Sequence, residues 1–157
     1  MNYRQDGRSK DEFREQIQKR IIRENELFHR WINSHENPPK YVYNGCGLNG
    51  EYLEDDQVTS DADYLVDGYG PFETKYSGPM ITTYFHLKVS NVNSYLKQKA
   101  TILMINGANT ESPEYTIITT KLLKDIANTC SIVPFAGFGG KNAYKISVQK
   151  FEWSKLG

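Results

Sequence analysis

Asp63, Glu73 and Lys75 fall within Asp63-Tyr-Leu-Val-Asp67-Gly-Tyr-Gly-Pro-Phe-Glu73-Thr-Lys75, and their types and spacing suit attack on a phosphodiester. An acid opens a short apolar strand, Asp67-Gly-Tyr-Gly70 turns the chain, and the next strand carries Glu73 and Lys75. Side chains two apart on a strand share a face, so Glu73 and Lys75 project together while Thr74 points away. With Asp63 paired alongside, two carboxylates and one ammonium meet at a sheet edge. Such a group can hold Mg²⁺ or Mn²⁺ and position a water. The alternative is a pair of exposed strand acids bridged to neighbouring lysines. Acids are disfavoured in strands, and both flank apolar residues, which favours a functional role.

This arrangement resembles the PD-(D/E)XK nuclease superfamily, which carries an Asp, a hairpin turn and then (D/E)-x-K on the following strand. Asp63 matches the first acid and Glu73-Thr74-Lys75 the second element, with Ala62 where the naming proline would stand. The resemblance covers about residues 11 to 105 in some detail and is architectural beyond them. It implies a metal held by Asp63 and Glu73, with the carbonyl of Thr74 as a further ligand. Lys75 would sit near the attacking water or the scissile phosphate, stabilising charge or helping to orient and deprotonate the nucleophile. Its plainer reading is a solvated lysine in a weak salt bridge. Several families of this superfamily add a Glu from the leading helix, and Glu24 matches that by position. A carboxylate in the middle of the apolar stripe of that helix is costly unless paired or metal-bound; pairing with Arg20 is the alternative.

Other residues compete or assist. Asp61 shares strand parity with Asp63 and is an alternative ligand; Asp67 precedes Gly68, where turn chemistry alone favours Asp. Glu51 is a lower-ranked rival to Glu24. Lys88, after a third strand, is a candidate phosphate contact, as the fold often supplies. Gly137-Phe-Gly-Gly-Lys141 lacks P-loop spacing, so a nucleotide cofactor is not expected. It is a tight turn, or a turn whose amides and Lys141 grip a DNA phosphate. Arg20, with Arg14, Lys19, Arg23 and Arg30, lies beside the helical stripe, along a duplex backbone or on a solvated face. His86 is one of three histidines with no second one at ligand spacing, which argues against a zinc site or a catalytic triad.

The elements around these residues alternate between helix and strand. Asp11 to about His35 reads as a helix, with Phe13, Ile17, Ile21, Phe28, Trp31 and Ile32 on one stripe, ended by Asn37-Pro-Pro39. Tyr41–Tyr43 is a brief strand, and residues 44–50 form a glycine-rich loop. After the hairpin, Ile81–Val89 reads as the third strand of a meander. Ser90 caps a helix through Lys99, with Val92, Tyr95 and Leu96 inward. Ala100–Asn106 is a buried central strand. Tyr115–Ile118, a helix near Thr120–Asn128, and late strands at Ser131–Phe135 and Ala143–Val148 complete the chain. The order predicts an α/β fold with a mixed central β-sheet flanked by helices; the resemblance implies a restriction-endonuclease-like core.

With 157 residues and 13% aromatics, a single folded domain over 10–157 is expected, behind a flexible polar stretch at 1–9. The absence of a long apolar run and of a signal-like start predicts a soluble, cytoplasmic protein. Cys46 and Cys130 lack metal-ligand spacing and read as ordinary thiols. A net charge of zero excludes a uniformly basic binder. Acids crowd into residues 51–56 and 61–67, whereas bases gather between Arg14 and Arg30 and at Lys88, Lys97, Lys99, Lys141 and Lys145.

The resulting expectation is a Mg²⁺-dependent DNA endonuclease, of phage, junction-resolving, homing or restriction type. A chain this short leaves little room for a separate recognition domain, so a homodimer presenting two sites is expected. Two other classes make different demands. A non-catalytic nucleic-acid-binding or interaction module that retains the fold predicts that Asp63, Glu73 and Lys75 do not converge, or that no divalent metal binds. A small-molecule α/β enzyme requires a deep pocket lined by tyrosines.

Overall fold

A computed structural model describes residues 10–44 and 62–157. The segment 1–9, Cys46, Glu51 and Asp61 lie outside the described residues, as do the side chains of Phe13, Arg14 and Ile17. In chain order the elements are α1 (Lys10–Asn33), β1 (Tyr41–Tyr43), β2 (Tyr64–Val66), β3 (Gly70–Tyr76), β4 (Tyr84–Lys88), α2 (Val89–Gln98) and β5 (Thr101–Asn106). Then follow β6 (Glu114–Ile118), α3 (Thr120–Thr129), β7 (Ser131–Pro134), β8 (Asn142–Ser147) and β9 (Ser154–Lys155). The fold is α/β, with a mixed six-stranded sheet ordered β1-β2-β3-β5-β6-β9 and a separate antiparallel sheet ordered β4-β8-β7.

β3 and β5 run parallel at the centre of the large sheet, and its other pairings are antiparallel. Every residue of β5 is buried. Alternation sends Leu103 and Ile105 into a core with Leu27, Phe28, Trp31 and Ile32 of α1. Ile102 and Met104 enter a second core with Val92 and Tyr95 of α2, Leu123 and Ile126 of α3, and Phe85 and Ile146 of the small sheet. The helices therefore cover the two faces of one sheet, and a continuous apolar strand between them is the required sequence pattern.

The aromatic contacts of α1 fix it firmly. Phe28 stacks on Tyr64 with ring centroids 3.8 Å apart, and Trp31 stacks on Phe72 at 5.1 Å. Arg23 Nη2 donates to the Ala108 carbonyl at 2.7 Å, tying the helix to the loop after β5. Leu27, fully buried, belongs to this contact face although the sequence stripe omitted it.

The meander expectation is corrected at β4, which leaves the large sheet. After β3, Ser77 N bonds to Ile105 O at 2.9 Å, and the chain turns across the ends of β3 and β5. Buried Asn106 fixes that crossing: its Oδ1 accepts from Ser77 Oγ, Thr82 N and Thr82 Oγ1, and its Nδ2 donates to Thr82 O. Gly107, at φ +68°, leaves room for Ile81, whose Cγ1 would lie 2.7 Å from an added Cβ. β4 then pairs with β8, a partner that local periodicity cannot identify. The cap of α2 also differs: Lys88, not Ser90, is the N-cap, and its side chain does not accept a capping hydrogen bond from the first turn. Among the described residues no helix is long and apolar enough to cross a membrane.

Candidate functional site: three carboxyls around Lys75

The site forms where β2 stops accompanying β3. On β3, β2 pairs with Gly70, Pro71 and Phe72 only, so among the described residues that edge of β3 opens from Glu73 onward. Phe72 belongs to the α1 core, which directs Glu73 and Lys75 to the opposite face, toward α2. Lys75 Nζ lies 5.9 Å from the ring centroid of Tyr95 on α2. It stands 3.5 Å from Glu73 Oε1 and 3.8 Å from Glu24 Oε2.

Asp63 is the residue just before β2. Its backbone N–H donates to Glu73 Oε2 at 3.0 Å, so one carboxylate oxygen of Glu73 holds the Asp63 segment while the other faces Lys75. Asn44 fastens the same segment from β1, its N donating to Asp63 O at 2.8 Å and its Nδ2 to Ala62 O at 3.0 Å. From α2, Gln98 Oε1 accepts from Ala62 N at 2.7 Å.

Glu24 reaches this notch because residues three and four apart share a helical face. Leu27 and Phe28 press onto the sheet, and the same stripe carries Glu24 with them; it is only 5% exposed. Among the described residues its Oε2 is buried without a hydrogen-bond partner, as is Thr74 Oγ1.

Electrostatics follow from crowding three carboxyls near one ammonium. Burial raises Asp63 well above the usual carboxylate range, reinforced by Glu73 and Glu24 and only partly countered by Lys75. Burial pushes Glu24 up to about 7, with Lys75 pulling it down, Glu73 pushing up and Arg20 pulling down. For Lys75 burial acts to lower the pKa, but Tyr95, Glu24, Glu73 and Asp63 outweigh it and hold the pKa well above the ordinary lysine value. Lys75 therefore stays charged. If all three carboxyls ionise, the notch carries two uncompensated negative charges.

The Glu24 Oε2, ion-paired with Lys75 at 3.8 Å but without a hydrogen bond among the described residues, and the all-oxygen donor set fit a hard divalent cation, which would favour the ionised carboxyls. Among the described residues no group of three or more His, Cys, Asp or Glu side chains sits at metal-holding spacing. Mg²⁺ needs fewer, because it typically takes one or two carboxylates and keeps several waters. Asp63 and Glu73, with the Thr74 carbonyl, are the residues that would hold it.

Of the expected site residues, Asp63, Glu73, Lys75 and Glu24 come together, and the ion pair of Glu24 is with Lys75. Arg20 is exposed with its guanidinium 6.0 Å from the Tyr76 ring, at the rim of the notch. Asp67 is exposed in the hairpin turn, away from the cluster. Lys88 and Lys141 belong to the small sheet and its turn; Lys88 Nζ lies 5.3 Å from the Phe138 ring. Sequence reasoning gave no role to Asn44 and Gln98 and read Tyr95 only as an inward-facing residue. Tyr95 and Gln98, three apart on α2, carried the signal of a shared face. Comparison of the chain with protein-family models, with curated proteins and with solved structures found no match.

Proposed function

We propose that this protein is a Mg²⁺-dependent (or Mn²⁺-dependent) DNA endonuclease of the PD-(D/E)XK type, built on a restriction-endonuclease-like core. The observation that carries the reading is Lys75 Nζ between Glu73 and Glu24, with Asp63 bonded to Glu73 at the point where β2 leaves β3. A helix leading into a hairpin, followed by a crossover helix and a central strand parallel to the second hairpin strand, also agrees with it.

When bound by Asp63, Glu73 and the Thr74 carbonyl, the cation would supply Lewis-acid polarisation of a phosphoryl oxygen. Glu73 braces the Asp63 backbone while keeping its other oxygen toward Lys75. Lys75, held cationic, offers Nζ to negative charge developing on the phosphoryl group, an electrostatic role worth most in a partly desolvated notch. A protonated amine cannot accept a proton, so Lys75 is not the general base. Glu24, which burial pushes up to about 7 in the metal-free notch, is the group poised to take one. Arg20 at the rim adds a phosphate contact, and a homodimer would offer one such notch to each strand of a duplex.

The test is to incubate supercoiled, linear, single-stranded and branched DNA with Mg²⁺ or Mn²⁺, beside Lys75→Ala. Metal-dependent cleavage that the variant lacks supports the reading. Equal cleavage by both removes Lys75 from the mechanism, and no cleavage of any substrate favours a non-catalytic module on the same fold.

A further inference from the structure

The small sheet has an outer face with a composition of its own. Phe85, Leu87, Tyr144 and Ile146 point into the core, so the opposite parity turns Tyr84, His86, Lys88 and Lys145 outward. His86 and Lys145 are directly opposed across β4 and β8. The turn before β8 folds its aromatics over this face. Phe135 stacks on His86 at 3.9 Å between centroids and 10° between planes, and Phe138 meets Phe135 edge-on at 4.9 Å. Gly137 permits this, because an added Cβ there would lie 2.6 Å from Phe135 Cε1. Each lysine is set over a ring: Lys145 Nζ is 4.5 Å from the Tyr84 centroid, and Lys88 Nζ 5.3 Å from that of Phe138.

Charge sharpens the pattern. The chain holds no Asp or Glu between Glu73 and Glu111, and none between Asp125 and Glu152. β4, α2, β7 and β8 lie wholly inside these acid-free stretches, with Lys88, Lys97, Lys99, Lys141 and Lys145. Burial and then Lys145 lower the pKa of His86, which keeps it a neutral ring within the stack.

We infer that this face is a platform for single-stranded DNA. Aromatic faces accept unpaired bases while neighbouring lysines follow the phosphates, and this combination binds single strands with little sequence preference. A duplex hides its bases and would use only the lysines; an acidic peptide would likewise leave the rings idle. Tyr84, 47% exposed, is the accessible ring on β4. Lys88 on this face is also the N-cap of α2, the helix that carries Tyr95 to the notch. DNA rather than RNA as the occupant rests on the nuclease reading; the stacking face itself does not.

Binding is measured by fluorescence anisotropy in EDTA, where no cleavage occurs, with labelled dT20, rU20, a 20-base-pair duplex and poly-glutamate as probes. The wild type should bind dT20 more tightly than the other three. Tyr84→Ala should weaken dT20 roughly 5- to 100-fold, the usual effect of removing one stacking ring. Lys145→Ala should reduce the salt slope by about 0.7, the loss of one phosphate contact on a single strand. Glu73→Gln should bind dT20 as the wild type does, so loss of cleavage and loss of the platform are read separately. Thermal melts confirm that each variant is folded. Tighter binding of duplex, rU20 or poly-glutamate than of dT20, or indifference of dT20 binding to Tyr84→Ala, overturns the proposal.

Discussion

Glu24→Gln removes one ionisable carboxyl from the notch without changing its shape, and its effect on stability should depend strongly on pH. The Glu24 pKa is raised from 4.5 to about 7 in the folded protein. Folded chains therefore hold this proton more tightly than unfolded ones. The stability it contributes is fully present below pH 4.5 and is lost as pH rises through about 7. For an unfolded value of 4.5 and a folded value of about 7, linkage gives a loss on the order of 2 to 3 kcal/mol between pH 5 and pH 8. Glutamine does not ionise, so the variant escapes that loss. It also relieves Asp63, whose raised pKa is due partly to Glu24. Lys75 keeps Glu73 at 3.5 Å, so removing Glu24 does not strand a buried ammonium. The assay is urea unfolding of both proteins in EDTA at pH 5 and pH 8. The stability difference, variant minus wild type, should grow by an amount on the order of 2 to 3 kcal/mol across that interval, equivalent to a relative melting-temperature gain of roughly 5–10 °C. A difference that stays constant, or shrinks toward pH 8, refutes the crowding of carboxyls in this notch.

Three further substitutions separate structure from chemistry. Thr74→Val deletes a fully buried hydroxyl that has no hydrogen-bond partner among the described residues, so stability should rise by about 1 kcal/mol or more in urea melts, with metal-dependent cleavage unchanged because the backbone carbonyl remains. Lys75→Met leaves the carboxyls without their cation; cleavage should fall by roughly 10²- to 10³-fold in single-turnover assays, and stability at pH 8 by about 3–5 kcal/mol. Wild-type-like cleavage by this variant contradicts the electrostatic role. Asn106→Ala breaks the buried bonds that steer the chain from β3 into β4 and should cost about 3 kcal/mol or more by the same denaturation measurement.

Residues differ in how far their roles are legible from sequence. The β2–β3 hairpin was readable because Gly68 and Gly70, both at positive φ, punctuate two apolar runs, and strand parity alone placed Glu73 with Lys75. Glu24 was readable because an acid inside an apolar helical stripe is anomalous on energetic grounds. β5 announced its burial through unbroken hydrophobicity. The sheet assignment of β4 was not readable: β-branched and aromatic content marks a strand but says nothing of its partner, here β8 far along the chain. The two-residue β9 carries too short a pattern to detect. Asn44 and Gln98 act through backbone bonds to Ala62 and Asp63, which require the tertiary fold before their purpose is visible. The platform on the small sheet depended likewise on β4 and β8 meeting, although its acid-free composition is plain in the chain.

Titration calorimetry with Mn²⁺ at pH 7 tests the notch most directly. The wild type should bind at a site that Glu73→Gln and Asp63→Asn each abolish or weaken at least about tenfold. Protons should be released on binding, because Glu24, pushed up to about 7 by burial, is partly protonated in the free protein and a nearby cation favours its ionised form. Heat signals identical in all three proteins, or no binding by the wild type, would contradict a cation site built from these carboxylates.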